Sequence, residues 1–104
     1  MLDLSPTELN GYLQQHRPLL LDVREPWEFD ICHLRESELV PMGRIPTWAE
    51  NADRSRPTVV ICHHGIRSRQ VAMYLEHLGF SNVINLAGGV ERWAREVDPQ
   101  MATY

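Results

Sequence analysis

The chain has 104 residues, 43% of them hydrophobic and 23% charged, and its 14 acids outweigh 10 bases for a formal net charge of −4. That length suits one domain, residues 1–104, with a single core, and the composition excludes wholesale disorder. The net sign argues against a phosphate-backbone partner, and the longest apolar runs, Leu19–Leu21 and Val59–Cys62, fall far short of a bilayer span, so neither nucleic acid nor membrane is an expected partner.

The chain opens Met-Leu-Asp-Leu-Ser, with no basic start leading into an apolar run, so a cytoplasmic location is the expectation. Ser5-Pro6-Thr7-Glu8 reads as a helix start, with Ser5 as cap, Pro6 in the first turn and Glu8 reaching back. Leu9, Tyr12 and Leu13 supply its apolar face, and Pro18 is expected to end it. Leu19–Val23 reads as a strand covered on both faces. Arg24–Leu39 is polar and acidic, expected as loop plus a short helical piece, its acids forming a solvated face. Glu38–Pro41 suggests a short strand, and a short helix begins at Pro46. Thr58–Cys62 is the clearest strand, rich in β-branched residues. Val71, Leu75 and Leu78 then recur at helical spacing until Gly79, with Phe80 placed to pack back. Asn82–Leu86 is a further strand, and Gly88-Gly89 turns into a last helix whose Val90, Trp93, Ala94 and Val97 share one face.

Strands alternating with helices imply an α/β fold, a mostly parallel central sheet of about five strands with helices on both faces. Ligands of such sheets bind beyond the carboxyl ends of the strands. Cys62 stands at that end of the Thr58–Cys62 strand.

The segment Cys62-His63-His64-Gly65-Ile66-Arg67-Ser68 takes a thiol out of a buried strand, through a tight turn at Gly65 and into a helix start. Inward-pointing backbone N–H groups and the helix N-terminus both favour a thiolate there. Arg67, with Arg69 nearby, would add charge at the rim for an anionic substrate. The other thiol, Cys32, completes a pair too small for a disulfide scaffold and without metal-ligand spacing, so both are expected reduced. Every base is arginine, which removes lysine Schiff-base, lysine general-base and P-loop chemistry.

This segment resembles the Cys-x-x-Gly-x-x-Ser active loop of rhodanese-type sulfurtransferases. Leu20–Glu25 is similar to that family's first signature, with Phe29 and His33-Leu34 at the expected offsets. Leu78-Gly79-Phe80 and Leu86–Trp93 resemble its C-terminal signature, so the likeness runs from Leu19 to Trp93. One departure is Cys32, where the family usually has glycine. The resemblance implies a single-domain sulfurtransferase in which Cys62 takes the outer sulfur of thiosulfate or a similar small anionic donor as a persulfide. Cyanide, a thiol or a protein in a sulfur relay would then accept it. No cofactor and no metal are implied.

Each residue also has a plainer reading. Asp22 and Arg24 are expected to brace the loops as an ion pair, supporting the chemistry without performing it. Arg67 is expected to contact substrate; the alternative is a helix-start arginine paired with a nearby acid. His63 and His64 are expected to diverge and line the loop mouth, where partial protonation near pH 6–7 would help anions bind. Cys32 is expected as a small loop side chain, with a resolving thiol as the alternative. Trp27, alone in a charged loop, is the tryptophan placed to meet a partner. Two rival functions stand beside the transferase. A cysteine phosphatase or arsenate reductase needs five residues between Cys and Arg, where this chain has Ser68 instead. An interaction module would not need the loop cysteine.

Overall fold

Five strands build one sheet in the computed structural model, which describes residues 1–104. They are β1 (Leu2–Leu4), β2 (Leu19–Asp22), β3 (Glu38–Leu39), β4 (Thr58–Ile61) and β5 (Val83–Leu86), in the order β1-β5-β4-β2-β3. Every pairing is parallel. Parallel strands need crossovers, and these carry α1 (Pro6–Tyr12), α2 (Pro26–Ile31), α3 (Ile45–Ala49), preceded by a 3₁₀ turn at Met42–Arg44, and α4 (Ile66–His77), while α5 (Gly89–Glu96) follows the last strand. No helix is long and apolar enough to cross a membrane.

All of β4 and β5 is buried, because helices cover both faces. Strand alternation sends Leu21, Val60 and Val83 to one face, where they meet Val71 and Leu75 of α4 and Ile45 of α3. Leu20, Val59, Ile61, Ile84 and Leu86 point to the other, against Leu9 of α1 and Val90 and Trp93 of α5. The apolar core is thus divided by the sheet into two layers.

Local signals account for most boundaries. The Ser5 hydroxyl accepts from the Glu8 amide at 3.1 Å and the Glu8 carboxylate accepts from the Ser5 amide at 2.8 Å, closing a capping box. At the end of α4, Gly79 takes φ +96°, and the Phe80 amide donates to Leu75 O at 3.1 Å while the Gly79 amide donates to Glu76 O at 3.0 Å. This Schellman pairing satisfies the terminal carbonyls and folds Phe80 back onto the helix.

Two expectations change and one strand is added. Helix α1 stops at Tyr12, well before Pro18, in a turn over residues 13–15. The N-terminal Leu2–Leu4 segment, too short to carry alternation, pairs with β5 as an edge strand and sets Asp3 in register with Asn85. The acidic stretch is not wholly solvated: Glu28, in α2, is 4% exposed.

Packing is close where β5 turns into α5. Gly89 has φ +61°, and a Cβ there would sit 2.3 Å from His63 O and 2.4 Å from Cys62 O. The first free amides of the helix use that closeness: Val90 N–H donates to Cys62 O at 2.9 Å and Glu91 N–H to His63 O at 3.1 Å. Gly89→Ala must therefore both strain the backbone and push α5 off the Cys62 loop, at about 2–4 kcal/mol. Urea denaturation measures this, and a loss below about 0.5 kcal/mol would mean that the contact yields freely.

Candidate active site

Cys62 follows β4 directly, beyond the carboxyl end of the central strand. The residue is buried, 1% exposed, and its side chain joins the apolar layer containing Val60, Val71 and Ala72. Its sulfur nevertheless meets polar groups. The amides of Gly65 and Ser68 donate to Sγ at 3.1 and 3.3 Å, and Sγ–H donates to Ser68 Oγ at 3.3 Å. Two loop amides, not a full ring of them, are aimed at the sulfur. Gly65 takes φ +92° as the N-cap of α4, and a Cβ there would lie 2.9 Å from Gly88 N. Glycine is required at 65 on both counts, conformation and space.

Behind Ser68 a buried chain of hydrogen bonds runs to the sheet edge. Ser68 Oγ–H donates to Asn85 Oδ1 at 2.6 Å, Asn85 Nδ2 donates to Asp3 Oδ1 at 2.9 Å, and Arg69 Nη1 donates to Asp3 Oδ2 at 2.6 Å. Hydrogen bonds from Asn85 and Arg69 hold the Asp3 carboxyl below its ordinary range.

The opposite face of the sheet carries a second network. Arg24, fully buried, donates through Nη2 to Asp22 Oδ2 at 2.7 Å and to Cys32 O at 2.6 Å. Its Nη1 donates to Tyr104 Oη at 2.8 Å. Tyr104 Oη–H in turn donates to Glu28 Oε1 at 3.0 Å. Glu28 receives both terminal nitrogens of Arg67, at 2.8 and 2.9 Å, in a two-pronged pair. Burial pushes the Tyr104 hydroxyl up to about 12, with the Glu28 acceptor adding to the rise.

The network reassigns several residues. Arg67 is bound to Glu28 and Arg69 to Asp3, so both rim charges have carboxylate partners. Paired in this way, Arg67 takes the geometry of the plainer reading. His63 and His64 do not diverge: their rings lie 3.9 Å apart, and His63 stacks on Tyr104 at 3.9 Å and 12°. Burial, then the neighbouring His64, pushes the His63 pKa below its ordinary value, which works against protonation of this ring. His64 is exposed, as is Ile66, 69% open to solvent. Both line a groove of about 590 Å³ that runs past Gly65, Arg69, Met73 and Gly88. Cys32 is a free thiol in the opposite apolar layer from Cys62, with Arg24 Nη1 at 3.9 Å from its sulfur.

Glu28, Tyr104, Asn85 and Asp3 join the site without having been singled out in the sequence. Asn85 did carry a signal, as a polar residue within an otherwise apolar strand. Tyr104 carried none, since its partners lie some 76 to 80 positions away.

A cysteine held by backbone amides beyond the carboxyl end of a parallel sheet, at the start of a helix, defines a class of α/β domains. The particular family follows from comparison: residues 5–96 match the rhodanese-like domain model, and the chain belongs to that family. It is 37% identical to the thiosulfate sulfurtransferase GlpE of Pseudomonas syringae, over 91% of this chain and 89% of that protein. It is 35% identical to the probable adenylyltransferase/sulfurtransferase MoeZ of Mycobacterium tuberculosis over 97% of this chain, but spans only 26% of that longer protein. Among solved structures, the rhodanese-like domain protein of Staphylococcus aureus superposes with a TM-score of 0.83 at 27% identity, covering 100% of this chain and 99% of that one.

The Arg67 pair makes stability depend on acidity. Arg67 hydrogen bonds hold the Glu28 carboxyl at about 2, against burial, which pushes it up. A carboxyl depressed in the folded state stabilises above its unfolded value and loses that contribution as pH falls through the folded one. Arg67→Ala should therefore be less stable than the parent at neutral pH, and the gap should close as pH falls from 4.5 to about 2. Urea midpoints across that range measure it, and a gap independent of pH counts against the pair.

Proposed function

We propose that Cys62 is the nucleophile of a thiosulfate sulfurtransferase and carries the transferred sulfur as a persulfide. The Cys62 thiolate attacks the outer sulfur of thiosulfate or a similar anionic donor; the S–S bond of the donor breaks, and sulfite leaves with its electron pair. Cys62–S–S⁻ then yields its outer sulfur to cyanide as thiocyanate, or to a thiol or protein acceptor, and the thiolate returns. Splitting the transfer into two displacements on one cysteine predicts ping-pong kinetics.

The observation that carries this reading is the convergence of the Gly65 and Ser68 amides on Cys62 Sγ at the start of α4. Donors fixed in place stabilise developing negative charge without reorganising. His63 and His64 supply the backbone between Cys62 and Gly65, Ile66 follows Gly65, and Arg67 holds this segment to α2 through Glu28. The Asp22–Arg24 pair supports the loop from the other face. With Arg67 and Arg69 both paired, the amides rather than a free guanidinium are assigned the main role in holding sulfur charge. The thiolate chemistry and two free thiols suit a reducing, cytoplasm-like compartment.

A second reading, a domain that takes a persulfide from one protein and passes it to another, is favoured by the likeness to a segment of the much longer MoeZ. In that case residues 1–104 act as one relay domain, and thiosulfate turnover is slow.

Incubation with thiosulfate followed by intact-mass measurement should add one sulfur atom to the protein, and Cys62→Ser should abolish that gain. Cyanide should then discharge the wild type, with parallel double-reciprocal lines for the two substrates. Loading without discharge would select the relay reading. Equal loading of the Cys62→Ser variant would remove Cys62 from the chemistry.

A further inference from the structure

The chain Cys62–Ser68–Asn85–Asp3 has a direction that the hydrogen bonds themselves dictate. Asn85 is 2% exposed on β5, set in register with Asp3 of β1 on one side and Val60 of β4 on the other. Its amide can be oriented in only one way. The Nδ2 end faces two acceptors, Asp3 Oδ1 at 2.9 Å and Gly65 O at 3.4 Å, and turning the amide over would set Oδ1 against a carboxylate and a carbonyl. Asn85 Oδ1 therefore faces Ser68 Oγ at 2.6 Å, and an amide oxygen can only accept. Ser68 has one hydroxyl proton, and it is committed to Asn85. What Ser68 Oγ presents to Cys62 Sγ, 3.3 Å away, is a lone pair.

We propose that Asn85 is a positioning residue for Cys62, acting through Ser68: it withholds the Ser68 hydroxyl proton from the sulfur, so that the thiol donates to Ser68 and the ionised sulfur keeps a lone pair unclaimed for attack. The proposal deepens the sulfurtransferase reading and rests on it for its catalytic meaning. The Asp3 carboxylate polarises the Asn85 amide from the far side, and the donors from Cys62 through Ser68 and Asn85 run one way and reinforce one another. The two backbone amides, Gly65 and Ser68, then serve the sulfur alone. Without Asn85 the Ser68 hydroxyl would be free to rotate onto Sγ and add a third donor. A hydrogen bond on an attacking lone pair must be broken before the new bond forms, at about a fivefold cost in rate if it has ordinary strength.

Two measurements on the full chain test this, and neither requires sulfur transfer. The first is the infrared S–H stretch of Cys62, assigned by difference against Cys62→Ser at a pH where the thiol is protonated. Asn85→Leu should move this band to higher frequency, because the S–H loses its acceptor, and Ser68→Ala should move it likewise. The second is the rate of Cys62 alkylation by iodoacetamide, followed by peptide mass at a pH that ionises the thiol. Asn85→Leu should slow it about fivefold in the parent and leave it unchanged on a Ser68→Ala background. An unmoved band, or an equal rate change with and without Ser68, overturns the proposal, since an effect that ignores Ser68 is only structural. If Asn85→Leu does not fold, Asp3→Ala at the exposed edge strand carries the test: the band should move the same way by a smaller amount, and no movement overturns the proposal. Should wild type take no sulfur from thiosulfate, the sulfurtransferase reading fails while these two results are still read on their own terms.

Discussion

The first turn of α5 presses against the loop after β4, and the rest of the site depends on that contact. Amides at a helix start need acceptors, and here Val90 and Glu91 find them in the carbonyls of Cys62 and His63. With those carbonyls drawn toward α5, the amides that follow, of Gly65 at the cap of α4 and Ser68 in its first turn, are turned to the sulfur. The approach is close enough that only a glycine fits at 89, and a second close contact, between Gly65 and Gly88, ties the loop to the same turn. Loop and helix start therefore form one unit, held by backbone groups that side-chain variation barely touches.

Side-chain networks then brace this unit from both faces of the sheet. On the α4 face the chain from Ser68 through Asn85 ends on a carboxylate at the sheet edge. On the α2 face the buried Asp22–Arg24 pair leads through Tyr104 to Glu28 and out to Arg67. Burying an ion pair costs desolvation that its attraction only partly returns, and removing one partner from such a pair costs about 3–5 kcal/mol. The networks also pair the rim charges, Arg67 with Glu28 and Arg69 with Asp3.

Much of this was legible in order along the chain. The β-branched run to Ile61, the thiol after it, Gly65 and the helix that follows are consecutive, and consecutive residues settle local geometry by their own backbone preferences. The same holds for the Ser5–Glu8 capping box and the stop at Gly79. The misreadings were of another kind. Glu28 looked like one solvated acid among several, because the arginine that buries it is 39 positions away. His63 was expected to diverge from His64, because nothing near it in the chain announced that Tyr104 would stack on its ring.

The sequence alone therefore determined the α/β pattern, the place of Cys62 at a strand end, the turn after it and the likeness to the rhodanese family. Periodicity, glycine placement and motif spacing are local quantities, and a single chain displays them. Tertiary structure alone decided that Arg67 pairs with Glu28 and Arg69 with Asp3, which way the Ser68 hydroxyl points, and that Cys32 and Cys62 lie in separate apolar layers. Those outcomes depend on strand order and register, which bring Asp3 beside Asn85 across 82 positions. No local preference encodes them, because the free energy that selects them comes from packing the whole sheet at once.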